Sequence, residues 1–272
     1  MCVEGFTVTG GRLLSLAAGV LPEFPPDAIV RAAAEAGYPA SGIWCDMQTW
    51  TAETTRAVAR ALADGALQPL DIEVVWIGPG REVTDSARRL IDIGGVLGAR
   101  HVLIVSANPS IAETKHQFAA LCELAAAAGM RAVLEFLMIA RVQTLAQAVE
   151  VVTDVGHPAG GVLVDALHLA RCGATPADVA RLDARLLPYA QLCDGPARLP
   201  DAADATYLAD AIDGRSAAGE GELPLRALLS ALPAQVPLSL EVRSKRYRDA
   251  YPDPVERARA VLDQTRQFLA AR

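Results

Sequence analysis

Aromatic residues are scarce in this chain: Phe, Trp and Tyr together supply 5% of its 272 residues. A core must therefore be aliphatic, and Ala-rich helices laid on a sheet suit that composition. Cysteine is sparse and scattered. Cys2, Cys45, Cys122, Cys172 and Cys193 form an odd set of five without a Cys-x-x-Cys pair. That argues against a zinc ribbon or a dithiol redox motif and points to a reduced, cytoplasmic setting. Positive charge is not in surplus, with 25 Lys and Arg against 32 Asp and Glu and a net charge of -7. Nucleic-acid backbones need clustered cations, so no nucleic-acid partner is expected. The densest basic group, Arg243, Lys245, Arg246 and Arg248, is followed closely by Asp249 and Asp253 and reads as a local anion or substrate loop, or as solvated surface. No apolar run approaches membrane-spanning length and no basic-then-apolar leader follows Met1, so no membrane partner is expected.

What the chain does have is hydrophobic mass, 52% of its residues, cut into short apolar runs that alternate with longer Ala/Leu/Arg stretches. The runs at 13–17, 42–45, 71–77, 101–105, 131–135, 161–165, 189–193 and 238–242 read as strands. Helices are expected at 27–36, from Thr51 onward, and at 85–97, 111–128, 145–155, 223–232 and 254–271, with short helical pieces through Leu182 and a long loop before 223. Runs such as Val102 to Val105 and Val162 to Val164 are continuously apolar, as a parallel strand covered on both faces must be. Eight such repeats without an interrupting linker predict one α/β domain over residues 1–272, a (β/α)8 TIM barrel. The rival open, doubly wound sheet lacks its glycine-rich phosphate loop after the first strand.

Barrel enzymes carry their chemistry where the strands end. Four consecutive runs end in an oxygen-bearing side chain: Glu135, Asp165, Gln191 and Glu241. Singly, each has a plain explanation: Asp165 as a helix cap, Gln191 as a buried amide, His168 as a turn residue. Together, three carboxylates converging on one axis would repel each other unless a cation sits among them. An oxygen-rich set favours one divalent metal ion, Mg2+ or Mn2+, although Zn2+ and Co2+ also accept it.

These residues also carry a resemblance. Val162-Leu-Val-Asp165-Ala-Leu-His168 resembles the strand-six Asp-x-x-His motif of the sugar phosphate isomerase/epimerase superfamily, the xylose isomerase-like TIM barrels. Gln191-Leu-Cys-Asp194 resembles its strand-seven His-x-x-Asp motif with Gln replacing His, and Arg215-Ser-Ala-Ala-Gly219-Glu-Gly221 its Arg-x-x-x-Gly-x-Gly loop. The resemblance implies a metal held by Glu135, Asp165, Gln191 and Glu241, with Glu135 and Glu241 also moving protons on opposite faces of a ketose. It implies that His168 and Arg215 orient substrate oxygens, with Asp194 and Arg243 as further substrate-binding candidates. The implied reaction is proton abstraction next to a carbonyl, through an enediolate.

Gln191 opens an alternative. It is similar to the strand-seven Gln of the 3-dehydroshikimate dehydratases, in which His168 would be the base and water the leaving group. Family members are often homodimers or homotetramers. Two further classes are weighed: an apurinic-site nuclease, disfavoured by an acidic chain with four histidines, and an inactive binding barrel, disfavoured by a complete ligand set. Trp44, Met47, Trp50, Trp76, Phe136 and Met138 are candidates for an apolar wall around a ring, Arg141 for an anion, and Asn108 for a substrate hydroxyl.

Overall fold

The computed structural model describes residues 11–198 and 204–271. Cys2 and the remaining ends of the expected 1–272 span lie outside the described residues. Eight strands close into a barrel in sequence order. They are β1 Leu14–Leu16, β2 Ala40–Trp44, β3 Gln68–Ile77, β4 His101–Ser106, β5 Arg131–Glu135, β6 Gly160–Asp165, β7 Ala190–Leu192 and β8 Leu238–Leu240. Every neighbouring pair is parallel, including β8 with β1, so this is the expected (β/α)8 barrel.

The helices are α1 Pro26–Ala36, α2 Ala52–Asp64, α3 Asp85–Leu97, α4 Ile111–Ala127, α5 Leu145–Val155, α6 Ala166–Arg171, α7 Pro176–Val179, α8 Asp204–Asp213, α9 Leu225–Ala231, α10 Lys245–Ala250 and α11 Pro254–Ala270. Every residue of β4 and β6 is buried, because helices cover the outer face while side chains fill the inner one. Helix starts follow the local sequence. Thr51 and Thr144 form capping boxes with Thr54 and Gln147, and Asp253 accepts the N–H groups of Val255 and Glu256. Among the described residues, no helix is long and apolar enough to cross a membrane.

Two helices occupy stretches read as loop. The expected long loop before 223 holds α8, which buries Tyr207 at 3% and Ala211 at 8% exposure. Its acidic, turn-like surroundings mask a short amphipathic repeat. The basic group after β8 is α10, started by a Ser244 cap. Most of that group is solvated ion pairing rather than an anion loop: Lys245 with Asp249, Arg246 with Glu220, and Arg248 with Asp213. The last helix is fastened to the loop after β1. Arg257 of α11, 1% exposed, reaches Glu23 at 2.7 Å and donates to the carbonyls of Tyr251 and Val20 in the first loop.

Candidate metal centre and substrate cavity

Register on the last four strands sets the site. Pairing of Asp165 with Gln191 and of Leu192 with Leu240 brings the ends of β6, β7 and β8 level, and Glu135 closes β5. Glu135, Asp165, His168, Gln191 and Glu241 are all buried, at 7%, 0%, 5%, 3% and 5% exposure. Ligand atoms of Glu135, Asp165 and His168 fall within 4.8 Å of one another, while Glu241 stands outside that group. Glu241, Glu135, Gln191, His168 and Arg215 line a cavity of about 150 Å³ at the barrel mouth, together with Trp44, Trp76 and Arg243.

Asp165 is the helix cap expected of it and an ion-pair partner as well. Its Oδ1 caps α6 by accepting the His168 N–H at 2.9 Å, and its Oδ2 accepts from Arg215 Nη1 at 2.6 Å. Burial opposes its charge, but the Arg215 guanidinium and His168 hold its pKa below the ordinary value. Arg215 also donates to Ala211 O at 2.7 Å and points Nη2 at His168 Nε2, 3.3 Å away. A guanidinium has no lone pair to offer, so Nε2 is the acceptor and the ring proton sits on Nδ1, facing Tyr207 Oη at 2.6 Å. Burial pushes the His168 pKa down to about 4, in keeping with a neutral ring.

The remaining carboxylates are strained electrostatically. Burial, then the charge of Asp165, drives Glu135 well above its ordinary pKa, and burial raises Glu241 against the pull of Arg215 and Arg243. Glu241 Oε2 is buried with no hydrogen-bond partner. The buried Arg215 guanidinium pairs with Asp165, whereas Glu135 and Glu241 have no arginine or lysine within ion-pair distance among the described residues and would be neutralised by a divalent ion.

The Gln191 amide supplies the second test of fit. One terminus lies 3.2 Å from Asp165 Oδ2 and 2.9 Å from Glu135 Oε1. With nitrogen there, it donates to both carboxylates. With oxygen there, it joins theirs at spacings close to the roughly 2.9 Å between adjacent ligands of a six-coordinate ion such as Mg2+. Amide, carboxylates and the orphaned Glu241 oxygen therefore fit a hard divalent cation.

Sequence reasoning missed Asp71 and Glu73, both buried on β3. Glu73 lines the same cavity, its pKa driven well up by burial and by Glu241, Asp71 and Glu135. Burial and the Glu241 charge push Asp71 up to about 7. The signal was available: acidic residues alternating with Leu70, Ile72 and Val74 in an apolar strand place 71 and 73 on one face. Tyr207, reaching in from α8, was missed because its helix was.

Several expectations find other roles. Asp194 lies away from the cavity: it accepts the N–H groups of Gly195 and Leu223 on Oδ1 and of Gly219 on Oδ2, so it pins the 215–221 loop rather than substrate. The glycines of that loop are required. Gly219 has φ +85°, and a Cβ on Gly221 would lie 2.5 Å from Asp194 Oδ1. Asn108 ties the carbonyls of Gly78 and Gly80 and so holds a loop, not a hydroxyl of a ligand. Arg141 donates to Pro109 O. Of the expected apolar wall, Trp44 and Trp76 stand at the mouth, 41% and 49% exposed, whereas Phe136 is fully buried.

The sequence model of the xylose isomerase-like TIM barrel family matches residues 30–269. The chain belongs to this family. Among solved structures, it resembles a xylose isomerase-like TIM barrel/4-hydroxyphenylpyruvate dioxygenase fusion protein, with TM-score 0.80 and 23% identity over 93% of this chain. This chain spans only 42% of that protein. It also resembles the IolI protein with a bound zinc atom, with TM-score 0.79 and 16% identity over 95% of this chain and 98% of the other. A third is a probable 3-DHS dehydratase, AsbF, from Bacillus anthracis, with TM-score 0.69 and 18% identity over 96% and 99% of the two chains. No curated protein matches the sequence. Similarity at these identities establishes a shared barrel, and the xylose isomerase-like family includes members of differing chemistry.

Proposed function

We propose that this protein is a divalent-metal-dependent isomerase or epimerase of a ketose or related polyhydroxy carbonyl compound. The observation that carries the reading is the placing of Glu135, Gln191 and Glu241 around one small cavity, with Asp165 Oδ2 3.2 Å from the Gln191 amide terminus and a buried Glu241 oxygen that has no hydrogen-bond partner. These four residues would hold the metal, and when bound it supplies a Lewis acid that polarises the carbonyl and its neighbouring hydroxyl.

The chain's own residues account for the proton transfers. Glu241 on β8 and Glu135 on β5 belong to strands separated by β6 and β7, so they approach a bound carbon from different sides. One carboxylate removes the proton next to the carbonyl and leaves an enediolate. The other returns a proton to the opposite face, or to the adjacent carbon. Burial that raises both pKa values brings their basicity nearer to the task. Arg215, fixed by Asp165, Ala211 O and the neutral His168 ring, presents its guanidinium toward substrate oxygens from a rigid frame.

Dehydration would instead require His168 as the base. Its Nε2 lone pair is turned toward the Arg215 guanidinium, which lowers its basicity and favours the glutamates. Incubating Mn2+-loaded protein with ketoses and with 3-dehydroshikimate in deuterated water separates the two chemistries. Deuterium at one carbon without other mass change is the expected result, and loss of water from 3-dehydroshikimate would overturn it.

A further inference from the structure

We infer that the substrate carries an apolar ring beyond its polar head, and that this ring occupies a second cavity beside the metal centre. The inference rests on the proposed function for the identity of the head, and it deepens that reading. A cavity of about 660 Å³ opens between the loops that follow β1 and β2. Phe24, Ile29, Trp50 and Ala57 form its apolar side, and Trp44 and Arg243 line both it and the 150 Å³ cavity at the metal centre. The two spaces therefore meet at this pair. Ligand pockets usually span about 300–1,000 Å³ and are mostly apolar with a few placed polar groups. The inner cavity alone is too small to match that description, and the outer one matches it.

The junction is chemically prepared. Arg243 has no carboxylate partner among the described residues, and its buried Nε donates to nothing. Its guanidinium lies 5.9 Å from the Trp44 ring, which holds it in place by a cation–π contact. The Arg243 side chain, which lines both the polar and the apolar chamber, suits an oxygen that links head and ring, such as a glycosidic oxygen. Of the three carboxylates lining this cavity, Asp27 pairs with Arg31 at 2.6 Å, Asp46 accepts the Gln48 N–H at 2.9 Å and the Thr49 hydroxyl at 3.0 Å, and Glu53 lies in the first turn of α2. The apolar side bounded by Trp44, Trp50 and Phe24 suits a flat apolar group. The substrate class is thus an aryl-bearing polyhydroxy carbonyl compound.

Isothermal titration of the Mn2+-loaded protein with the phenyl and the methyl β-glycosides of 3-keto-D-glucose, which keep a carbonyl in the polyhydroxy head, tests this. The phenyl compound should bind at least about tenfold more tightly, a smaller gain than full burial of an aromatic ring offers. Ala57→Phe, which fills the outer cavity away from the metal centre, should reduce the phenyl compound to the affinity of the methyl one. Mn2+ binding, followed by electron paramagnetic resonance on the same samples, should be unchanged in that variant. Equal affinities, no binding of either glycoside, or a phenyl preference that survives Ala57→Phe overturns the inference. The wild-type comparison decides alone if the variant does not fold. Failure of the proposed function has a different signature: no Mn2+ signal, with the phenyl preference still readable.

Discussion

Replacing Arg215 by Met probes whether a guanidinium and a divalent ion share one carboxylate. The side chains of Arg215 and Asp165 are 3% and 0% exposed and meet at 2.6 Å. Met keeps the unbranched apolar stem of the side chain and removes its charge, so Asp165 is left ionised and buried without its partner. Contacts to Ala211 O, Cys193 Sγ and His168 Nε2 are lost with it. Breaking one side of a buried ion pair costs about 3–5 kcal/mol. At about 2–4 °C per kcal/mol for a domain of this order of size, the melting temperature in chelator should fall by on the order of 10 °C. Excess Mn2+ should narrow that gap, because the cation then neutralises Asp165 in the variant without competition. Ligand at about 100 times its dissociation constant stabilises by about 2.7 kcal/mol, and tighter binding to the variant adds to this. Thermal and urea unfolding of both proteins, each in chelator and in excess Mn2+, measure the four stabilities. An equal loss in both conditions would refute the reasoning, since Arg215 and the metal would then act on different groups.

Glu241→Gln should lower deuterium exchange into substrate by about 10²–10⁴-fold while leaving the unfolding midpoint in chelator nearly unchanged, and a fully active variant would remove Glu241 from the reaction. Asp71, pushed up to about 7 by burial and by Glu241, is protonated more readily folded than unfolded, so its contribution is present at low pH and is lost as pH rises through about 7. Asp71→Asn should therefore stabilise the metal-free protein above that pH by on the order of 3 kcal/mol, and have little effect at about pH 4; parallel urea-stability curves for the two proteins would contradict this. Tyr207→Phe removes the 2.6 Å contact with His168 Nδ1 and should cost about 1 kcal/mol of stability and shift the His168 ring-nitrogen resonances.

The barrel was legible because doubly covered strands must be continuously apolar, so runs such as 102–105 stand out without any structure. Glu135, Asp165, Gln191 and Glu241, the proposed metal ligands, stood out because each is a polar residue within or at the end of such a run, where burial demands a partner. What stayed hidden depends on distance along the chain. Tyr207 reaches His168 from α8, and the use of Asp194 as an anchor becomes apparent only when Gly219 and Leu223 present their N–H groups to it. Asp71 and Glu73 left a period-two trace inside β3, overlooked because polar residues were sought after strands rather than within them. Which arginines are paired also could not be read locally: Arg246 and Arg248 find partners 26 and 35 residues away, while Arg243, a few positions earlier, finds none among the described residues.

The buried Arg257 makes α11 and the loop after β1 a single mechanical unit. Through Glu23 and the Val20 carbonyl, the final helix braces the segment that carries Phe24 into the outer chamber. Trimming the C-terminus through this arginine would therefore loosen a wall of the outer chamber far from it in sequence.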